Sequence, residues 1–239
     1  VAAKRIGVVA ALTAEAQAYA DADLSPGRVH EVCGHLLYVS GVGHANARSA
    51  AGALVEGGAV ALVSWGTAGA LAEGLKQGMV VLPRAVHSAR GTAMLDTRWR
   101  DHLHSRLREV VAVETGTLLQ SEAILISAAA KTNERARCGA IAVDMESAAI
   151  ADVAAHHRLP CVAVRAILDT AVEAIPPGVL DPADEFGRSS AASIALALAR
   201  RPLDVIPLIR LGRGLRAALG SLRRVRRHLG PDLGLGSGG

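Results

Sequence analysis

Apolar and polar positions change period several times along the chain, and each change predicts an element. Ile6 to Leu12 is a continuous apolar run of strand length. TAEAQAYA follows with helical spacing, and Thr13 stands in the N-cap position. Arg28 to Ser40 alternates on both sides of Gly34, the pattern of a hairpin. Ala59 to Trp65, Met79 to Leu82, Ala85 to Ser88 and Thr115 to Leu119 are further strand-like runs. Thr97 to Glu109 and Ser127 to Cys138 read as helices.

The stretch from Ile141 to Thr170 predicts a strand, a helix and a strand. Ile141 to Val143 is apolar. Glu146 to His157 places Ala149, Ile150, Val153 and Ala154 on one helical face, and Pro160 stops that helix. Cys161 to Leu168 is a second apolar run rich in β-branched residues. A Pro-rich segment with Pro176, Pro177 and Pro182 follows, predicting a semi-rigid connection placed to cover a site. A helix is expected from about Pro182 to Arg200. Strands alternating with helices throughout predict an α/β chain, a three-layer α/β/α fold around a central mixed, mostly parallel twisted sheet.

Beyond residue 200 the pattern changes. Leu208, Leu211, Leu215, Leu219, Leu222, Val225 and Leu229 recur at intervals of three or four, with arginines filling the gaps. This is a basic amphipathic helix, loosened by Gly212, Gly214 and Gly220. Two placements follow from it: docking on its own domain or a partner copy, or lying on an anionic membrane surface.

Charge sharpens that division. Residues 200–229 carry nine Arg against one acid, a balance of +8, while the whole chain is +4. The basic character belongs to the tail, and the remainder is acidic. Aromatic residues make up 2% of the chain, too few for a base-stacking platform, so nucleic acid is not an expected partner. Cys33, Cys138 and Cys161 form neither a disulfide framework nor a metal pair, which points to a reducing cytoplasm and to no metal. Lys4 and Arg5 before IGVVAAL resemble a signal peptide, but the run ends at Glu15 and reads better as a buried strand. No clean apolar run is long enough to cross a membrane.

Candidate chemistry lies at strand ends, where open α/β sheets collect ligands. Glu15 follows the first strand, Glu146 opens the helix after Val143, and Asp169 closes the last strand. Each also has a plainer reading: Glu15 and Glu146 as first-turn helix acids, Asp169 as a turn former before Thr170. Two small-residue segments, Gly41-Val42-Gly43 before His44 and Gly66-Thr67-Ala68-Gly69, read as tight turns after strands. Both are expected to expose backbone N–H groups to an anion or to sugar hydroxyls.

Five segments together resemble the purine nucleoside phosphorylase and uridine phosphorylase family, particularly its methylthioadenosine/S-adenosylhomocysteine nucleosidase branch. They are IGVVAALTAEA, SGVGHANA, WGTAGAL, AVDMESAAIADV and VRAILDTA, in that order. The resemblance implies an enzyme that breaks the N-ribosyl bond of a purine nucleoside without a cofactor, acting as a homodimer or larger homo-oligomer. It makes residues 1–200 the catalytic domain and residues 201–239 a C-terminal tail. Asp169 resembles the general acid that donates toward N7 of the base. Glu146 resembles the carboxylate that grips the ribose 2′ and 3′ hydroxyls, and Glu15 the residue that positions or deprotonates a nucleophilic water. Met145 packs under the sugar, and Thr67 and Gly69 face the ribose. Gly43, His44 and Gly66 stand on the side of the nucleophile.

Two departures matter. Ile124 stands where the family's stacking aromatic is expected, so the base is held by aliphatic packing and by backbone groups near Leu125. Ser64 stands where the phosphorylases carry an arginine before the second glycine segment. Water is therefore a credible nucleophile. Phosphate stays open as a co-substrate, with the glycine segments and Arg48, Arg84 or His44 to bind it.

The core, the IPPGVLDPADEFGR segment and the basic tail together look more like the hopanoid-associated phosphorylases. That implies a lipid-linked substrate of adenosylhopane type, a cytoplasmic enzyme peripheral to the inner membrane face, and release of adenine. The alternatives are a methylthioadenosine/S-adenosylhomocysteine nucleosidase and a non-catalytic nucleoside- or lipid-binding protein.

Overall fold

The computed structural model describes residues 5–175, residue 186 and residues 205–235. The prolines at 176–182 and the helix expected up to Arg200 lie outside the described residues.

Among the described residues, eleven strands join in one sheet. In chain order they are β1 (Ile6–Ala10), β2 (Val29–Val32), β3 (His35–Val39), β4 (Ala61–Ala70), β5 (Val80–Val81), β6 (Ala85–Ser88), β7 (Gly91–Met94), β8 (Val113–Glu114), β9 (Thr117–Gln120), β10 (Ala142–Asp144) and β11 (Cys161–Asp169). The helices are α1 (Thr13–Tyr19), α2 (His44–Glu56), α3 (Thr97–Leu107), α4 (Ala128–Cys138), α5 (Ser147–His156) and α6 (Val205–His228). The expected mixed α/β architecture is the one observed.

β4 is the strand around which the sheet is built. Its first half pairs in parallel with β1, from Ile6 opposite Ala61 to Ala10 opposite Trp65. Its other edge runs parallel to β11, from Cys161 opposite Leu62 to Asp169 opposite Gly69. Where β1 ends, β10 takes its place in antiparallel register, with Val143 opposite Gly69. The register with β11 slips between Ile167 and Asp169, and this irregularity re-aims the last residue of the strand.

The central strands β1, β4 and β11 are buried on both faces because their alternate residues feed different cores. Ile6, Val8 and Ala10 of β1 join one cluster with α1, α3 and α6. Val9 joins the other with α2 and α5. The Cys33-Gly34 turn of the hairpin has positive φ at both residues, as a two-residue hairpin loop requires.

Two expectations need correction, and one strand carried no expectation. The second glycine segment, Gly66 to Gly69, is not a turn: it lies inside β4, paired along its length with β11 and, at Gly69, also with β10. Small residues are needed there for close approach, since a Cβ on Gly66 would lie 2.8 Å from the Glu15 carboxyl. Thr13 is the first residue of α1 rather than its cap. Leu12 holds the cap position, and the Glu15 carboxylate accepts from its backbone N–H at 3.1 Å. The short strand β7 escaped the sequence reading because Gly91, Thr92 and Met94 are exposed and carry little apolar signal.

The tail is part of the domain. Ala218, Leu219, Leu222 and Val225 of α6, and Leu229 just beyond its end, are buried in the same core as α1 and α3. Each large side chain buried this way contributes on the order of 1.5–3 kcal/mol. Arg223, Arg224 and Arg227 face outward, while the Arg226 guanidinium lies 4.8 Å from the Tyr19 ring centroid. Further bonds fasten the end of the chain: Trp99 Nε1 donates to the Leu233 carbonyl at 2.9 Å, and His35 Nε2 is bonded to the Pro231 carbonyl at 2.5 Å. Gly214 lets α6 approach the end of β11, where a Cβ would overlap the Leu168 carbonyl oxygen.

Candidate active site

The ends of β1, β4, β10 and β11 open into a cavity of about 420 Å3. Glu15, Glu146 and Asp169 all line it, together with Thr67, Gly69, Ile124, Leu125 and Met145. Thus the three acids, separated by most of the chain, share one space. Gly43 and Gly66 stand just behind them. His44 lies in a neighbouring pocket that shares Met145. Arg48 lines a surface groove along α2 and Arg84 is exposed, so neither borders the cavity.

Glu15 serves two purposes. Besides capping α1, its Oε1 accepts from Thr67 N at 2.7 Å and from Thr67 Oγ1 at 2.8 Å. The first-turn acid and the cavity acid are the same residue. Glu146 is different. It holds the N-cap position of α5 but makes no side-chain cap there. Its carboxylate accepts from Gly43 N at 2.9 Å and from Met145 N at 3.3 Å. The first turn of α5 is held instead by Asp144, which accepts from Ser147 N at 3.4 Å and from the Ser147 hydroxyl.

One buried cation organises this end. Arg165, 1% exposed, reaches from the middle of β11 to Asp144 at 2.7 Å and to Glu146 at 3.8 Å. It also donates to Ser64 Oγ at 2.6 Å and to Ser147 Oγ at 3.1 Å. Burial pushes Glu146 up to about 7; the Arg165 guanidinium works against that shift, and the Asp144 carboxylate adds to it. Glu146 therefore changes charge near neutrality.

Asp169 sits at the opposite end. Its Oδ2 accepts from the Lys131 ammonium of α4. The turn after the strand does not use Asp169: Thr170 N donates to Glu173 Oε2 at 2.8 Å instead. Burial raises Asp169 above the usual carboxylate range and Lys131 opposes it. Around Asp169 the wall is aliphatic, with Ile124, Leu125, Ile175 and Leu211 on it. Leu211 belongs to α6, so the tail helix supplies part of the cavity wall.

Arg165 and Lys131 were not singled out from the sequence. A charge inside the apolar run CVAVRAIL signals a buried partner, and that signal was readable. Lys131 gave none, because AAAKTNERARC reads as an ordinary polar helix.

A family model described as the Phosphorylase superfamily matches residues 5–204. The chain belongs to that superfamily, and its class of reaction is cleavage of an N-glycosidic bond. Solved structures share the fold. The 5′-methylthioadenosine/S-adenosylhomocysteine nucleosidase of Neisseria meningitidis aligns with a TM-score of 0.69 at 22% identity, covering 94% of this chain and 97% of that one. The futalosine hydrolase of Helicobacter pylori gives 0.67 at 14%, covering 93% and 97%. The S-adenosylhomocysteine nucleosidase of Streptococcus pyogenes gives 0.62 at 23%, covering 72% and 86%. A comparison with curated proteins gives no match.

Proposed function

We propose that this protein cleaves the N-ribosyl bond of an adenine nucleoside by attack of water, and that its substrate is of adenosylhopane type. The observation that carries the reaction is the convergence of Glu15, Glu146 and Asp169 on one cavity. Breaking the bond develops positive charge on the sugar and negative charge on the base. Glu146 holds the ribose hydroxyls and stabilises the developing cation. Asp169 delivers a proton toward N7 of the departing base. Glu15, fixed by Thr67, orients the water and takes its proton. Met145 packs under the sugar, and Ile124 and Leu125 flank the base.

Water is favoured over phosphate by the donor inventory. Thr67 N and Oγ1 both donate to Glu15, Gly43 N donates to Glu146, and Arg165 is engaged by Asp144 and two serines. The groups that would hold a phosphate already hold carboxylates, and an incoming anion would meet their charge.

The lipid-linked substrate is supported by the cavity's surroundings. Ile124, Ile126, Val172, Ile206 and Ile209 are exposed, and they come from three segments that border the cavity. Such side chains suit a long apolar substituent entering from a bilayer. Exposed Arg210 and Arg213 beside them suit an anionic lipid surface. Methylthioadenosine, the smaller alternative, makes no use of this rim.

The test follows adenine release from methylthioadenosine and from adenosylhopane in anionic vesicles, each with and without phosphate. Faster, phosphate-independent release from adenosylhopane is expected. Release from neither substrate sinks the reading, and phosphate dependence replaces water as the nucleophile.

A further inference from the structure

Lys131 is the buried residue of an otherwise polar helix, 1% exposed. An ammonium taken out of water is costly unless every proton is bonded. Here all three are: Nζ donates to Asp169 Oδ2, to the Thr170 carbonyl at 2.7 Å and to the Glu173 carbonyl at 2.7 Å. The lysine holds the last residue of β11 and the turn beyond it in one arrangement.

This pairing raises a chemical question for the proposed reaction, on which the inference rests. A carboxylate that binds an ammonium is ionised and has no proton to give. The leaving base needs one. We propose that Lys131 and Asp169 form a single proton-delivery unit, in which Lys131 positions Asp169 and supplies the proton that passes through it to the base.

The proton count closes. As the ribosyl C–N bond breaks, its electron pair moves onto the purine. The ammonium proton moves to Asp169 Oδ2, and from that carboxyl to N7. Lys131 becomes a neutral amine whose two remaining protons keep the Thr170 and Glu173 carbonyl bonds. Water attacks the sugar carbon and gives its proton to Glu15. After the products leave, solvent returns a proton to Lys131 and removes one from Glu15.

The surroundings permit this transfer. Besides Lys131, the charged group facing Asp169 is Glu173, itself bonded to Thr170 N at 2.8 Å and to Gln77 Nε2 at 3.2 Å. β4 and β10 bring Gly69 and Val143 against the Asp169 side, and α6 brings Leu211, none of which titrates. Burial that disfavours the charged carboxyl narrows the gap the proton must cross.

The experiment is the pH dependence of kcat for adenine release between pH 5.5 and 9, for the wild type, Lys131→Met and Lys131→Arg. The wild type keeps its activity to the alkaline end, because the pair as a whole retains its proton. In Lys131→Met the carboxyl must hold that proton alone. Its kcat then falls about 100-fold at pH 8.5 but only about 3-fold at pH 5.5, with KM within about 3-fold. Lys131→Arg keeps the charge but does not release a proton, and loses about 30-fold at every pH.

An equal loss for Lys131→Met at all pH values shows a structural role and overturns the proposal. So does wild-type activity in Lys131→Arg. Should Lys131→Met fail to fold by circular dichroism, Lys131→Gln takes its place: a loss that deepens as pH rises upholds the unit, and an equal loss at all pH values overturns it. A wild type that releases no adenine at any pH overturns the nucleosidase reading and this inference together. A wild type that releases adenine alongside an evenly impaired Lys131→Met overturns the inference alone.

Discussion

The two ends of the cavity solve the problem of buried acids in opposite ways. At the end proposed for the sugar, Asp144 and Glu146 share the Arg165 guanidinium, with Ser64 and Ser147 completing its bonds. At the end proposed for the base, Asp169 is the one carboxylate bonded to Lys131, whose other two protons go to the Thr170 and Glu173 carbonyls. A guanidinium never releases a proton under physiological conditions and presents a rigid fork, so it fixes charge. An ammonium is a point donor whose proton can move. The difference matches the proposed chemistry: two carboxylates sharing one cation keep net negative charge near a developing cation when Glu146 is ionised, while an ammonium can give a proton toward a leaving group.

The sharpest way to break this comparison is Asp169→Asn. Removing the acid is expected to lower kcat by about 10³-fold while nucleoside binding stays measurable by calorimetry. Unchanged turnover would remove Asp169 from its role.

The sugar end has its own signature. Glu146→Gln is expected to cost about 10²-fold in kcat/KM. In the wild type, kcat/KM should fall below about pH 7 as Glu146 takes up a proton, and this acid limb should vanish in the variant. The sign for stability runs the other way. Folding raises the Glu146 value from an ordinary 4.5 to about 7, so its stabilising contribution is full below 4.5 and lost as pH climbs through 7. Glu146→Gln is therefore expected to raise Tm at pH 8 and leave it unchanged at pH 4. An unchanged Tm at both would count against a strained carboxylate.

The aliphatic wall of the cavity depends in part on α6, through Leu211. Gly214→Ala would press a methyl group into the Leu168 carbonyl. A loss of about 2 kcal/mol is expected, seen as a drop in Tm of roughly 4–8 °C. Lastly, Ile124→Phe should sharpen the base end by adding a ring beside the purine. An approximately 5-fold lower KM for small adenine nucleosides is expected, a gain of about 1 kcal/mol. An unaltered KM would place the base elsewhere in the cavity.

Most of the frame was legible because strands buried on both faces leave long apolar runs, as in β1 and β11. The acids were legible because each closes or follows such a run. The sequence could not show that Gly66 to Gly69 stays in the sheet. Small residues signal a turn and a close approach equally well, and here the Glu15 carboxyl and the Arg165 guanidinium both crowd the strand. Lys131 was hidden for another reason: its partner lies on a different element, and its own helix is polar all round. The stripe on α6 was read correctly as apolar, but a stripe alone does not say what it faces. Leu222 and Val225 face the domain core.

The bond from His35 to the Pro231 carbonyl joins residues 196 positions apart. Together with Glu15 near one end of the fold and Leu211 near the other, it makes the cavity a product of long-range closure. Contacts of such separation form late and slowly. During synthesis the acids of α1 and β11 emerge before the helix that walls them in. Catalytic competence is therefore expected to lag the appearance of secondary structure, and the rate of α6 docking sets that lag.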